Sequence, residues 1–238
     1  VQILPNRGRV LSNYTLKSKG SSLLYQELQP KPMLLPGGLH SVEFGGYYLS
    51  LPWNTRDRQP FDLDFEITES GPERAEVYLT GKDMFKRTLT ECWVRISEGS
   101  PVVEVEIRIT NTSSRKPREI DFSDFWVVSV GPDSQEDANV LLPVDAVIVE
   151  QSTDNWLGST GTPLQWTSEA GSWENMRQFF EVRTDGELKT PCVSILYPRS
   201  RTAFMKFWES DTLFENIRLR SWGRTYKKIA GAAAYLVV

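Results

Sequence analysis

Val103-Glu104-Val105-Glu106-Ile107-Arg108-Ile109-Thr110 places an apolar residue at every odd position and a charged or polar one at every even position. A period of two is that of a β-strand, whose successive side chains point to opposite faces, here one buried and one wet. The same period extends upstream. Cys92, Val94 and Ile96 recur at every second residue, and a turn at Ser97–Pro101 joins them to the first stretch. Further back, Ala75, Val77 and Leu79 alternate again. Before the turn at Ser70-Gly71-Pro72, Phe61, Leu63, Phe65 and Ile67 interleave with Asp62, Asp64, Glu66 and Thr68. These segments read as consecutive antiparallel hairpins with one solvated face.

The rest of the chain continues the pattern. Strands are expected at Val10–Leu16, Leu23–Gln29, Tyr47–Leu51, Glu119–Val130, Ala146–Glu150, Gln178–Arg183, Val193–Tyr197, Thr202–Trp208 and Arg224–Val238. Apolar residues at helical spacing are nowhere sustained over three turns. Gly231-Ala232-Ala233-Ala234 is a run of small residues, but Tyr235-Leu236-Val237-Val238 favours a closing strand. Strands recurring every ~8–12 residues between Gly, Pro, Asn and Ser punctuation indicate an all-β sandwich or barrel. About 15 such segments exceed the ~7 strands of an immunoglobulin-like domain, so a large two-sheet antiparallel sandwich is expected. With no linker, repeat or low-complexity tract, residues 1–238 read as one domain. Gln151–Asn175, rich in Ser, Thr, Gly and Trp, reads as a long loop over one end, and loops of that length often carry function.

Composition narrows the chemistry. The 238 residues carry 27 Lys+Arg against 31 Asp+Glu, a formal charge of −4 that argues against a nucleic-acid partner. No apolar run approaches the ~18 residues of a membrane span, so no membrane partner is expected. Val1-Gln2-Ile3-Leu4-Pro5 does not have the form of a signal peptide, and the compartment stays open. Two cysteines, Cys92 and Cys192, make neither a disulfide framework nor a four-ligand zinc site, and a single His excludes any two-His acid–base pair. No metal or other cofactor is expected. Oligomeric state is not legible in the sequence.

Three clusters are candidates for chemistry. Gly37-Gly38-Leu39-His40-Ser41-Val42-Glu43-Phe44-Gly45-Gly46 brackets the lone His40 with two glycine pairs, and Trp53 and Arg56 follow soon after. Glycine allows close backbone approach, so the chain can wrap a ligand there; the segment also reads as a crossover whose His caps a buried carbonyl. A nucleotide cradle does not fit, because neither GxGxxG nor GK[ST] spacing is present. In Asp121-Phe122-Ser123-Asp124-Phe125-Trp126, alternation sets Asp124 beside Phe122 and Trp126. Burial would raise its pKa and suit it to donate a proton, although a strand-entry Asp bonded to loop backbone fits as well. Lys206-Phe207-Trp208-Glu209 ends a strand, with Phe204, Lys206 and Trp208 on one side and Phe207 with Glu209 on the other. Glu209 is there a candidate base or a solvated strand terminus. Eight tryptophans, with Trp156, Trp166 and Trp173 in the long loop, suit a sugar site, because pyranose C–H faces lie flat on indole rings.

The order of these features resembles the galactose mutarotase-like (aldose 1-epimerase-like) superfamily. The resemblance is carried by Leu4-Pro5-Asn6-Arg7-Gly8-Arg9-Val10, Lys19-Gly20-Ser21-Ser22-Leu23-Leu24-Tyr25, Gly37-Gly38-Leu39-His40 with Trp53 downstream, and Val103–Thr110 ending in Asn111-Thr112-Ser113. Trp222-Gly223-Arg224-Thr225-Tyr226 and Tyr235-Leu236-Val237 are similar to the family's closing turn and strand. It implies a large antiparallel β-supersandwich. In the family a glutamate takes the anomeric hydroxyl proton and a histidine protonates the ring oxygen. Carried over by position, His40 is similar to the sugar-binding histidine, Asp124 stands where the acid histidine is expected, and Glu209 stands where the base is expected. Arg56 is the nearby candidate for the sugar-binding arginine. The second imidazole is absent, and an Asp replaces it only with a strongly raised pKa.

Three functions follow as expectations. The first is a carbohydrate-binding protein without orthodox epimerase activity. Its partner would be a mono- or oligosaccharide, neutral or acidic, held by His40, Trp53, Arg56, Trp126 and Trp208. The second is a variant epimerase or carbohydrate-processing enzyme with Asp124 as acid and Glu209 as base. The third is a structural or interaction sandwich without a ligand.

Overall fold

The computed structural model describes residues 1–5, 9–18, 20–25, 33–34, 40–41, 45–50, 63–83, 87–112, 123–129, 137–152, 156–175, 178–209, 216–221 and 235–237. In chain order its strands begin with β1 (Gln2–Leu4), β2 (Arg9–Asn13), β3 (Thr15–Leu16), β4 (Ser21–Ser22), β5 (Met33–Leu34), β6 (His40–Ser41) and β7 (Gly46–Ser50). The long hairpin strands follow as β8 (Asp64–Ser70), β9 (Arg74–Lys82), β10 (Thr88–Ser97) and β11 (Val103–Asn111). Then come β12 (Ser123–Ser129), β13 (Asn139–Leu141), β14 (Ala146–Ser152), β15 (Pro163–Gln165) and β16 (Phe180–Asp185). The chain closes with β17 (Cys192–Tyr197), β18 (Thr202–Phe207), β19 (Arg218–Ser221) and β20 (Tyr235–Val237). Among the described residues there is no α-helix, and the paired strands run antiparallel. The protein is all-β, as the period of two requires.

The chain forms two compact units. One comprises Val1–Ser18 with Leu28–Trp126, the other Lys19–Glu27 with Val127–Val238, so that the boundary runs through β12.

In the first unit, the quoted hairpins build a four-stranded sheet in the order β11-β10-β9-β8. Cys92 stands between Leu79 and Ile107, and Val94 between Val77 and Val105. Alternation therefore stacks one apolar face, and Leu79, Cys92 and Val94 are buried on it. A second sheet runs β1-β2-β7 and on to the start of β12. It supplies Val10, Leu11, Tyr47 and Leu49 to the core. The two layers meet: the Cys92 thiol lies close enough to act electrostatically on Tyr47, and the Tyr14 hydroxyl donates to the Pro101 carbonyl across the layers. Gly46 is held at φ +83°, where a Cβ would lie 2.4 Å from the Leu11 carbonyl oxygen. Only glycine lets β7 approach β2 this closely.

In the second unit, one sheet runs from the end of β12 through β20, β19, β16 and β14 to β15. Leu24 adds a bridge to Val128, and the Tyr25 amide donates to the Val127 carbonyl at 2.9 Å. Leu23–Gln29 thus contributes one rung where a full strand was expected, and Gln26–Gln29 lie outside the described residues. A three-stranded sheet, β13-β17-β18, forms the other layer. Its Tyr197 is buried and reaches across to donate its hydroxyl to the Ser129 carbonyl at 2.7 Å.

The described residues of the segment expected to be a loop are irregular apart from one short strand, and several of them dock on the neighbouring strands. β15 pairs with β14, and the Trp173 amide donates to the Ala138 carbonyl at 2.7 Å. Gly171 lies so close to β13 that a Cβ would fall 2.0 Å from the Val140 oxygen. Its carbonyl accepts from the Val140 amide, while the Trp166 indole donates to the Val140 carbonyl at 3.3 Å. β15 is only three residues long and begins with Pro163, an edge position where a missing amide donor is tolerated. Nothing periodic marks it in the sequence.

Candidate functional site

Asp124 sits half-buried in β12, one residue before Phe125, and its carboxylate accepts from the Tyr47 hydroxyl. β12 and β7 pack their aromatic residues together. Tyr47 stacks on Trp126 with ring centroids 4.0 Å apart, and Tyr48 stacks on Phe125 at 5.2 Å. Burial first, and then the Asp124 charge, hold the Tyr47 hydroxyl well above the usual tyrosine range. Tyr47 is therefore a neutral donor locked onto Asp124. The sequence reading singled out Asp124 but missed its partner; the available signal was Tyr47 emerging from Gly45-Gly46 as the first inward residue of β7.

Trp126 is 9% exposed with one ring face covered by Tyr47, so it belongs to the core of this cluster. What the arrangement offers chemically is a carboxylate fixed at one oxygen by a buried phenol. Such a group orients well and accepts hydrogen bonds well.

The second candidate cluster ends β18, in the second unit. The Trp208 amide donates to the Pro191 carbonyl at 3.0 Å, which fixes the backbone just past the strand. The Trp208 ring is half-buried, and the Lys206 ammonium lies 5.8 Å from its centroid, within cation–π range. Glu209 follows and is exposed. The expected alternation holds here: Phe204 is buried on the side of Lys206 and Trp208, while Phe207 is 62% exposed on the other. An indole and an ammonium thus share one side of the strand end, with the indole partly open to solvent and the Glu209 carboxylate next in the chain.

His40 opens β6 opposite Leu34 of β5. Trp53 and Arg56 lie outside the described residues. Trp166 and Trp173, expected in the long loop, are buried at 8% and 2% exposure, and Trp156 is half-buried with its ring edge-on to Phe180 at 5.8 Å. Indoles in an irregular segment signal packing here: their rings are what docks a segment that lacks ladder pairing. Among the described residues, no three His, Cys, Asp or Glu side chains come together as a metal site.

These features define an all-β antiparallel sandwich protein with aromatic–carboxylate clusters at its strand ends. No family model matches the chain, and no curated protein matches it in sequence. It is similar in structure to a TPR-domain containing protein from Parabacteroides distasonis, with a TM-score of 0.76 at 13% identity. The likeness covers 99% of this chain and 39% of that one, so the chain spans well under half the length of its structural neighbour. Tetratricopeptide repeats are helix pairs, whereas the described residues here hold no helix; the likeness is one of strand architecture.

Proposed function

We propose that this protein is a carbohydrate-binding sandwich and that it takes a mono- or oligosaccharide, neutral or acidic, against Trp208. The observation that carries the proposal is the cluster at the end of β18, where a half-buried indole stands beside the Lys206 ammonium; the exposed Glu209 follows in the chain. An indole face supplies the apolar half of sugar affinity, and charged groups beside it supply hydrogen bonds to hydroxyls or to an acidic substituent. The resemblance to galactose mutarotase-like proteins supports a sugar as the ligand. A variant epimerase or other carbohydrate-processing enzyme is the weaker form of the proposal. Its expected acid, Asp124, is already engaged as acceptor of the Tyr47 hydroxyl.

Tryptophan-fluorescence titration against a panel of neutral and acidic sugars tests the proposal. Open, wet sites bind weakly, so Kd values on the order of micromolar to millimolar are expected. Trp208→Ala should weaken binding by about 1–2 kcal/mol, with circular dichroism as the folding control. No response to any sugar would leave the interaction-protein reading in its place.

A further inference from the structure

The edge of the four-stranded sheet has a composition that an ordinary protected edge does not need. β8, Asp64-Phe65-Glu66-Ile67-Thr68-Glu69-Ser70, is the last strand of that sheet, and all seven of its residues are exposed. On the face continuous with the core, Phe65 pairs with Leu79 and Ile67 with Val77, yet Phe65 is 62% and Ile67 is 61% exposed. On the opposite face Asp64, Glu66 and Glu69 pair with Thr80, Tyr78 and Glu76. Glu69 meets Arg74 at 3.6 Å, while Asp64 and Glu66 have no ion-pair partner among the described residues.

Edge strands are normally blunted by charge, by bulges or by a cover, because an open row of backbone amides and carbonyls templates further pairing. β8 has a bulge only near Thr68, at its far end. Over Asp64–Ile67 the register is regular, and two large apolar side chains stand ready to be covered from the next position in the sheet. A second copy of this chain is a poor cover in the registers that stay within the regular stretch Asp64–Ile67, away from the shift between Ile67 and Glu69. An antiparallel copy centred on Glu66 sets that carboxylate against its own counterpart, and one centred on Phe65 sets Asp64 against Glu66. Like charges directly opposite one another destabilise a strand pair.

We infer that β8 takes an added strand from another polypeptide, one whose residues alternate Lys or Arg with apolar side chains. Main-chain hydrogen bonds to the β8 edge supply the affinity in this mode, and alternate side chains supply the choice of partner. The basic residues lie against Asp64 and Glu66, and the apolar ones cover Phe65 and Ile67.

The test uses two short capped peptides, one alternating lysine with valine and threonine, the other identical but with glutamate for lysine. Binding to the full chain is followed by calorimetry, and the amides that gain protection are located by hydrogen exchange. The lysine peptide should bind and slow exchange within Asp64–Ser70, and the glutamate peptide should not. Asp64→Lys with Glu66→Lys, both at exposed positions, should weaken the lysine peptide about five- to tenfold and reverse the preference. Indifference of the wild type to both peptides, an unchanged preference in the variant, protection confined to other strands, or self-association through this edge in sedimentation would each overturn the inference.

Discussion

Cys92 and Cys192 differ in everything except their chemistry. Cys92 is fully buried between Leu79 and Ile107, and desolvation pushes its thiol up to about 12. Cys192 is half-buried, with its sulfur 3.6 Å from the Ser194 hydroxyl. Reaction with Ellman's reagent at neutral pH should therefore consume one thiol per native chain, and the second only after denaturation. Two fast thiols in the native protein would contradict the packing of the first unit. The same burial sets an alkaline limit. A thiol whose pKa is raised by folding contributes stability that is complete below its unfolded value, and this is lost as pH rises through the folded one. From about pH 9 upward Cys92 alone should remove up to roughly 1.4 kcal/mol per pH unit. Tyr47 and Tyr197, both raised chiefly by burial, add to the loss at higher pH. The thermal midpoint should be flat up to about pH 8.5 and fall above it, and Cys92→Val should shallow the fall. Asp83 shows how little of such detail is legible beforehand. It is buried and accepts from the Arg87 and Thr88 amides at 2.9 and 2.5 Å and from the Thr88 hydroxyl at 2.7 Å. Asp83→Ala should cost about 1–3 kcal/mol in chemical denaturation, because buried donors lose their acceptor. In the sequence Asp83 is one more polar residue after a strand, since a hydrogen bond to a turn has no period.

At the scale of the element, what was legible is whatever period two can encode. β9, β10 and β11 could be read almost residue by residue, because each has a dry face and a wet one. The wet face is itself ordered: Tyr78 packs near Trp93 at 5.2 Å, Arg108 lies 5.1 Å over the Trp93 ring, and Glu76 accepts from Arg95. Those contacts need the register of three strands, which alternation within one strand does not supply. The docking of the loop within 151–175 was not legible, for the opposite reason. Its order comes from non-periodic docking of Trp166, Trp173 and Gly171 on β13, so its tryptophans looked available when they are packed. The β2–β7 pair tests whether close approach is what Gly46 provides. Gly46→Ala should destabilise by more than about 1 kcal/mol, since the new Cβ meets both a left-handed backbone and the Leu11 carbonyl. An unchanged midpoint in urea would mean that β7 stands off from β2.

At the scale of the molecule, the chain is an all-β sandwich protein whose catalytic vocabulary is short. One histidine in 238 residues excludes a two-imidazole acid–base pair, and Asp124, the expected acid, is engaged by Tyr47. General acid catalysis contributes about 10²–10⁴-fold, so polarimetry on freshly dissolved α-glucose and α-galactose should show no catalysed mutarotation. Fast equilibration abolished by Glu209→Gln would restore the epimerase reading. The central claim, sugar binding at the end of β18, is tested most directly by amide and indole chemical-shift mapping with a neutral and an acidic sugar. The account predicts shifts concentrated on Lys206, Trp208 and Glu209 that weaken in Trp208→Ala. Saturating sugar that leaves those three signals unmoved would contradict it.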